Sequence, residues 1–82
     1  MNAISENRLR NGNTDPEIAL ALRRIRDDFE VVQAGEDWAT ITPWKNGAVN
    51  RDARARAALR MRAESAGLDT AIEDNAVRVT LP

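Results

Sequence analysis

Apolar residues recur with a helical period soon after the first dozen residues. Ile18, Leu22, Ile25 and Phe29 are spaced at i, i+4, i+7 and i+11, which places them along one face of a helix. The segment TDPE at residues 14–17 supplies a threonine suited to the N-cap, a proline for the first turn and a glutamate three residues after the threonine. The pattern therefore predicts a first helix over residues 15–29.

The period changes to two after this helix, as it does in strands. The segment VV at residues 31–32 and the run from Trp38 to Pro43 flank a polar turn at residues 34–37. Near the C-terminus, apolar and polar residues alternate on both sides of an EDN turn. These patterns predict two hairpins, the first ending at Pro43 and the second with one face made of Thr70, Ile72, Val77, Val79 and Leu81.

A second helix is predicted between the hairpins, in the segment NRDARARAALRMRAESAGL. Asn50 can serve as its N-cap, and Gly67 in the left-handed conformation can end it while Leu68 folds back onto the last turn. Its apolar stripe is narrow and mostly small, which allows close packing on a sheet; the stripe consists of Ala55, Leu59, Ala63 and Ala66.

The element order is helix, hairpin, helix, hairpin, which suggests an internal repeat. Pairing residues 13–44 with residues 50–81 gives nine identities in 32 pairs, against roughly three for a shuffled composition. The alanine and arginine bias inflates such matches, so chance is the alternative. We expect a small single α+β domain over residues 14–82 built from tandem αββ units (α-β-β-α-β-β), with a four-stranded antiparallel sheet and two helices packed on one face. Residues 1–13 are expected to form a flexible or loosely docked N-terminal arm.

The composition fits one small globular domain. The chain has 82 residues, 43% hydrophobic and 30% charged, and its apolar runs are shorter than the 18 or so residues that span a bilayer. The N-terminal segment also lacks the apolar core of a signal peptide, so we expect a cytoplasmic protein. Eleven arginines, one lysine and fourteen alanines favour a GC-rich genome, and hence a bacterial or phage origin.

Charge is distributed unevenly around a net value of −1. Residues 1–44 carry five basic and eight acidic side chains, and residues 63–82 carry one basic and four acidic side chains, so each flank has a net charge of −3. Residues 45–62 carry six basic side chains and one acidic side chain, a net charge of +5. The chain is therefore a basic band between two acidic flanks.

The basic band supplies the candidate binding residues. Arginine is well suited to bidentate contacts with phosphates and carboxylates, so the second helix can bind nucleic acid or an acidic protein surface. The alternative is a solvated helix whose arginines pair with acids of the same chain. Trp44 precedes Lys45, and an aromatic side chain beside a basic one suits partner binding or base stacking. The alternative is that Trp44 covers the core as a lid, whereas Trp38 is expected inside the core. The candidate partner-binding residues are Arg51, Arg54, Arg56, Arg60, Arg62, Lys45 and Trp44.

Catalytic chemistry has little support in this sequence. The chain has no cysteine and no histidine, so Ser5 and Ser65 lack their usual activating base, and no glycine-rich phosphate loop occurs. The acidic pairs at residues 36–37 and 73–74 could hold Mg²⁺ or Ca²⁺ if the fold joined them, although acids are also ordinary turn residues. We therefore predict no catalytic residue, no metal site and no cofactor.

Two hypotheses from different classes remain. The first is a non-catalytic binding protein that modulates or inhibits a larger protein partner, such as a phage or mobile-element protein acting on a nucleic-acid-handling complex. The second is a direct nucleic-acid binder that uses the arginine-rich second helix. The acidic flanks favour the first, because duplex affinity depends largely on neutralised phosphates. A homodimer, formed through the alanine-rich helix or an open sheet edge, is compatible with both, and no membrane partner is expected.

Overall fold

A computed structural model describes residues 16–82 of the chain. The expected arm at residues 1–13 and the threonine cap of the first helix lie outside these residues. Helix α1 spans Pro16–Arg23, and its Ile18 and Leu22 are completely buried. The prediction that this helix continues to residue 29 is wrong, because Ile25 lies in a loop and Phe29 begins a strand.

Helix α1 ends early because the residues after it form local hydrogen bonds of their own. The N–H groups of residues 24 and 25 donate to carbonyl oxygens three residues back over 3.1 Å, which tightens the last turn. The side chain of Asp27 then accepts the N–H of Asp28 at 2.9 Å, a local bond that competes with helix continuation. Ile25 and Phe29 are only 3% exposed, so a loop and a strand bury the same two apolar residues that a longer helix would have buried.

Strands β1 (Phe29–Ala34) and β2 (Trp38–Lys45) form the first predicted hairpin. Val31 lies opposite Ile41, and a bulge interrupts the register after Val31. The turn at residues 35–37 closes the hairpin. The predicted end of the second strand is wrong, since β2 extends two residues further than expected.

A two-residue strand that the sequence patterns did not predict follows β2. Strand β3 (Ala48–Val49) pairs with Trp44 and Lys45. The connection is the dipeptide Asn46–Gly47, with φ angles of 53° and 82°. Both angles are positive, as tight two-residue hairpin turns require, and Asn-Gly is the dipeptide most typical of such turns.

Helix α2 spans Ala53–Ser65 and corresponds to the second predicted helix, but its cap differs. Asp52 is the N-cap, and its side chain accepts the N–H of Arg54 at 2.9 Å. Asn50, the predicted cap, instead accepts the N–H of Asp52 at 3.1 Å. The prediction of the cap is therefore wrong by two residues, because Asn50 orders the turn that precedes the helix.

Helix α2 ends as the segment SAGL predicts. Gly67 has a φ angle of 90°, a conformation that favours glycine, and its N–H donates to the carbonyl oxygen of Glu64 at 3.0 Å. The N–H of Leu68 donates to the carbonyl oxygen of Ala63 at 3.1 Å, and Leu68 is buried. Together these bonds form a Schellman motif, which satisfies carbonyl groups at the end of the helix.

Strands β4 (Asp69–Glu73) and β5 (Ala76–Thr80) form the second predicted hairpin. Strands β2 and β5 are antiparallel neighbours, so the four longer strands take the order β1-β2-β5-β4, and β3 pairs with β2 beside this path. The second strands of both hairpins thus form the centre of the sheet. The predicted α+β class and four-stranded antiparallel sheet are confirmed, with β3 as an addition.

The pairing of β2 explains why Pro43 is tolerated inside this strand. On the side of β2 that faces β5, pairing with β5 extends to Ile41 and pairing with β3 begins at Trp44. The carbonyl oxygen of Pro43 accepts the N–H of Asn50 at 2.8 Å on the β3 side. The nitrogen of proline, which has no hydrogen to donate, therefore lies in the interval between the two ladders, where the sheet requires no donor.

The core lies between the two helices and one face of the sheet, which we call the helix face. Both α1 and α2 contribute to one buried cluster with this face, which confirms that the two helices pack on the same side. Neither helix of residues 16–82 is long and apolar enough to cross a lipid bilayer. The buried strand residues of the helix face are Phe29, Val31, Ala39, Ile41, Val77 and Val79, and the helices add Ile18, Ala21, Leu22, Leu59 and Ala63.

The internal repeat stays a prediction, and the structure adds one constraint on its alignment. At the offset of 37 residues, Leu22 corresponds to Leu59, and both are completely buried. In the central strands the same offset matches Ile41 with Arg78, and these side chains lie on opposite faces of the sheet. A duplication would therefore require a one-residue shift between the helix and the strands.

Within residues 16–82, β1 and β4 lie at the two ends of the strand order. Strand β1 is interrupted by its bulge. Strand β4 begins with Asp69 and ends with Glu73, both of which are exposed, and Ile72 between them is 47% exposed. Each edge therefore departs from a flat, apolar strand.

Replacing Asp52 with alanine is expected to destabilise the protein by about 1 kcal/mol, because the N–H of Arg54 loses its acceptor at the start of α2. The change is measured by urea denaturation followed by circular dichroism. Asp69→Ala removes an exposed acid that caps no helix, so it serves as the control and is expected to change stability by less than about 0.5 kcal/mol. Equal losses in both variants would contradict the assignment of Asp52 as the cap.

Candidate functional site

Helix α2 carries its arginines on both sides of the buried stripe. Successive residues turn by about 100° around the helix axis, and Leu59, with no exposed surface, marks the side that packs on the sheet. Arg56 and Arg60 lie on one flank of this stripe, whereas Arg54 and Arg62 lie towards the other. The arginines of the basic band therefore do not form a single patch.

The side of α2 that points away from the sheet mixes cationic and apolar residues. Met61 is 63% exposed at its centre. Ala57 and Ala58 are exposed beside it, and arginines border this apolar centre. We call this surface the α2 face; it consists of Arg54, Arg56, Ala57, Ala58, Arg60 and Met61.

Most arginines of the basic band have no acidic partner within residues 16–82. The exception is Arg62, whose Nε lies 3.8 Å from Oδ2 of Asp27. Arg56 donates from Nη1 to the carbonyl oxygen of Arg51 at 2.9 Å, which leaves its charge unpaired. Among the described residues, no salt bridge joins an acid to Arg51, Arg54, Arg56 or Arg60.

The acids nearest to these arginines in the sequence are engaged elsewhere. Asp52 caps α2 through the N–H of Arg54. Glu64, one helical turn after Arg60, accepts the hydroxyl group of Thr70 at 2.9 Å. The alternative left open by the sequence is a helix neutralised by acids of its own chain. Within residues 16–82, an ion pair of the kind that this alternative requires joins an acid to Arg62 and to none of the arginines of the α2 face.

Trp44 and Lys45 lie at the end of β2, next to the Asn46–Gly47 turn. Lys45 is exposed and Trp44 is half-buried. Side chains alternate along a strand, so Trp44 points away from the helices, to the side of the sheet that we call the outer face, and Lys45 points to the helix side. The structure therefore does not place the ring of Trp44 beside the arginines of α2.

The prediction that Trp38 belongs to the core is wrong. Its neighbour across the ladder is Thr80, and alternation along β2 places Trp38 on the outer face, where it is half-buried. The guanidinium carbon of Arg78 lies 4.2 Å from the centroid of its ring, a cation–π contact. Gly35 leaves room for the indole, since a Cβ atom at that position would overlap with the ring.

The outer face carries a row of tryptophan and threonine that is not evident from the sequence. Thr42 in this row is 6% exposed, and its Oγ1 has no hydrogen-bond partner among residues 16–82. Neither α1 nor α2 packs on this face. The sequence patterns predict that β2 ends at Pro43, one residue before Trp44, and therefore do not reveal the whole row. Along β2 it consists of Trp38, Thr40, Thr42 and Trp44, with Arg78 on the neighbouring strand.

A groove between the end of α2 and the loop after α1 gathers three arginines. Its volume is about 220 Å³, and we call it the arginine groove. Of its residues, Arg62 alone belongs to the predicted site. Arg24 and Arg26 lie in the loop after α1, and the early end of α1 brings this loop to the end of α2. The run RRIR at residues 23–26 is the sequence signal for this cluster. The lining residues are Arg24, Arg26, Arg62, Ser65 and Ala66.

The α2 face and the arginine groove are thus the basic surfaces from which a function can be inferred. No protein-family model, curated protein or solved structure matches the chain. The function is therefore argued from the side chains themselves.

The acidic pairs of the two hairpin turns lie at opposite ends of the sheet. The turn at residues 35–37 adjoins the end of β5, because the N–H of Leu81 donates to the carbonyl oxygen of Asp37 at 2.7 Å. The turn at residues 74–75 lies at the beginning of β5, about 17 Å away at 3.3 Å per strand residue. Within residues 16–82, no group of three or more acidic side chains is close enough to hold a metal ion. The fold therefore does not join the two pairs into a cation site.

Proposed function

We propose that this chain is a small, non-catalytic binding protein that modulates or inhibits a larger protein partner through the α2 face. The observation that carries the proposal is the absence, within residues 16–82, of any acidic partner for Arg51, Arg54, Arg56 and Arg60. Guanidinium groups on a rigid helix are arranged in advance for bidentate contacts with carboxylates. The expected partner therefore presents an acidic surface.

The composition of the α2 face favours a protein over a nucleic acid. Its centre is apolar, with Met61 63% exposed between exposed alanines, and arginines lie around this centre. Methionine and arginine are enriched at protein interfaces, and an apolar centre with a polar rim is their usual arrangement. A phosphate backbone offers nothing apolar to such a centre. The net charge of −1 also weakens long-range attraction to a nucleic acid.

The charge distribution suits a partner that handles nucleic acids. Exposed acids stand at both ends of the sheet, in the turns at residues 35–37 and 73–75. Placed against a basic channel, such acids present charges of the same sign as phosphates. We therefore propose a nucleic-acid-handling complex as the target class, in the cytoplasm of a bacterium and encoded by a phage or mobile element.

Direct nucleic-acid binding is the second candidate. The unpaired arginines that support the first proposal would also neutralise phosphates, with Lys45 adding a further charge. Trp44 contributes less than expected to this candidate, because its ring points to the outer face and α2 lies on the other side of the sheet. A single oligonucleotide therefore could not contact both Trp44 and the arginines of α2 without bending around an edge of the sheet.

Fluorescence anisotropy separates the two candidates. Labelled single- and double-stranded oligonucleotides are titrated with the protein at about 50 mM and about 200 mM salt. Between these concentrations, a protein that makes about six or more phosphate contacts loses about 10³-fold or more in affinity. We expect flat titrations at both salt concentrations. Micromolar or tighter binding that weakens steeply with salt would contradict the first proposal and establish the second.

A further inference from the structure

The geometry points to an anion-binding site in the arginine groove, with a phosphoryl group as its ligand. Arg24 and Arg26 come from the loop after α1, Arg62 comes from the last turn of α2, and all three line one groove together with Ser65. None of these residues belongs to the α2 face, although Arg62 and Ser65 lie one helical turn after Ala58 and Met61 of that face. The inference therefore adds a second binding site to the proposed function and does not rest on it.

Charge in the groove is unbalanced. Among residues 16–82, the acid that pairs with an arginine of the groove is Asp27, whose Oδ2 lies 3.8 Å from Nε of Arg62. Arg24 and Arg26 are exposed, and neither has an acidic partner within the described part of the chain. Three guanidinium groups against one carboxylate leave a net charge of +2, which complements the charge of a phosphoryl dianion.

The arginines are not needed to satisfy the ends of the helices. Cationic side chains near a helix C-terminus often serve the last carbonyl groups. In α2 the backbone fills this role, since the N–H groups of Gly67 and Leu68 donate to the carbonyl oxygens of Glu64 and Ala63. In α1 the N–H groups of residues 24 and 25 close the last turn in the same way. The guanidinium groups of Arg24 and Arg26 are therefore not occupied by the helix ends and remain available to a ligand.

The size of the groove narrows the class of ligand. Its volume of about 220 Å³ is below the range of about 300–1,000 Å³ that is typical of pockets for whole cofactors or drug-sized molecules. A phosphoryl group fits, with its oxygens accepting bidentate hydrogen bonds from arginine and a further bond from the hydroxyl group of Ser65. Inorganic phosphate and the terminal phosphate of a mononucleotide share this chemistry, and the experiment distinguishes them.

The test is a titration of the isotope-labelled protein, followed by amide chemical shifts at constant ionic strength. Inorganic phosphate, adenosine monophosphate and chloride are the three titrants. We expect the amide signals of Ser65 and Ala66 to shift saturably with phosphate and not with chloride. Saturation by the mononucleotide at markedly lower concentration would assign the site to a nucleotide phosphate, and equal affinities would assign it to free phosphate. Linear shifts that match those of chloride would overturn the inference.

Matched variants show whether the groove itself binds. Arg24→Gln combined with Arg26→Gln is expected to weaken phosphate binding by about tenfold or more, because two charge-assisted hydrogen-bond donors are lost. Arg54→Gln combined with Arg60→Gln removes the same charge from the α2 face and is expected to change the affinity by less than about twofold. Equal weakening in the two variants would mean diffuse charge attraction and would overturn the site.

A charge-conserving pair keeps the inference testable if the glutamine variant fails to fold. Arg24→Lys combined with Arg26→Lys retains the net charge and loses the planar fork of guanidinium. We expect a loss of affinity of several-fold from geometry alone, with the amide spectrum otherwise unchanged. Full retention of affinity would contradict a built site. Because neither arginine belongs to the α2 face, failure here leaves the proposed protein-binding function untouched, and failure of that function leaves the groove untouched.

Discussion

Reversing Arg54, Arg56 and Arg60 to glutamate is expected to abolish partner binding while the fold stays intact. Each reversal sets a carboxylate against the acidic surface proposed for the partner, and like charges brought together at an interface cost several kcal/mol. Since about 1.4 kcal/mol corresponds to a tenfold change, we expect the affinity to fall by about 100-fold or more. Two of the three positions lie in the first turn of α2, where negative charge interacts favourably with the helix dipole. This gain offsets the hydrogen bond that Arg56 loses, so the melting temperature should stay close to that of the wild type.

The measurement is capture of the partner from bacterial lysate, followed by titration calorimetry with the purified partner. The matched control reverses Arg23, Arg24 and Arg26, which changes the net charge by the same amount on a different surface. Circular dichroism and melting temperature are recorded for both variants. Retained binding in the α2 variant would mean that α2 is merely solvated, and the proposed function would fall. Loss of binding in both variants would indicate attraction to net charge without a defined interface.

Replacing Leu59 with alanine is expected to destabilise the protein by about 2–5 kcal/mol. Leu59 has no exposed surface and is the largest buried residue of α2; Ala63, the other buried residue of this helix, is small. The surrounding backbone is already close to the sheet, so it has little room to collapse into the cavity. A domain of this size has a total stability of about 4–12 kcal/mol at about 0.05–0.15 kcal/mol per residue. The variant should therefore lose a large part of its folded population.

Met61→Ala is the control for this loss, because it removes a side chain of similar volume from the same helix. Met61 is 63% exposed, and we expect a change below about 0.5 kcal/mol. Both variants are compared by urea denaturation, monitored by circular dichroism and tryptophan fluorescence. Similar losses in the two variants would contradict the assignment of Leu59 as the residue that anchors α2 in the core, since alanine has the higher helix propensity in both cases.

The class and order of the elements could be predicted because core-facing residues recur along the sequence with the period of each element. Positions facing one core recur every second residue in strands and every third or fourth residue in helices, and the sequence keeps both periods. Boundaries were less predictable. Ile25 and Phe29 continue the helical spacing of α1, yet a loop and a strand bring them to the same core, so the pattern alone could not show where α1 ends. Proline commonly ends a strand, yet Pro43 lies inside β2 because the interval between two ladders accommodates it.

The candidate site depended on these boundaries more than the fold did. The arginines of α2 were predictable because charge and helical period lie within one segment. The arginine groove was not, because Arg24 and Arg26 reach α2 only if α1 ends at Arg23. The row on the outer face depends on a boundary in the same way. Trp44 joins the row only if β2 continues past Pro43, because the alternation of side chains applies only within the strand. Local sequence patterns predict an element well and its termini poorly, and a surface shared by two elements depends on termini.

The edges of the sheet bear on how this chain behaves when it is abundant. Two copies of β4 paired antiparallel about Ala71 would set Asp69 opposite Glu73 twice, and like charges in direct opposition destabilise strand pairing. The bulge in β1 hinders strand addition at the other edge. Within residues 16–82, both ends of the strand order β1-β2-β5-β4 are therefore unfavourable templates for a further strand. The proposed function requires a concentration comparable to that of the target, and edges of this kind are compatible with such a concentration.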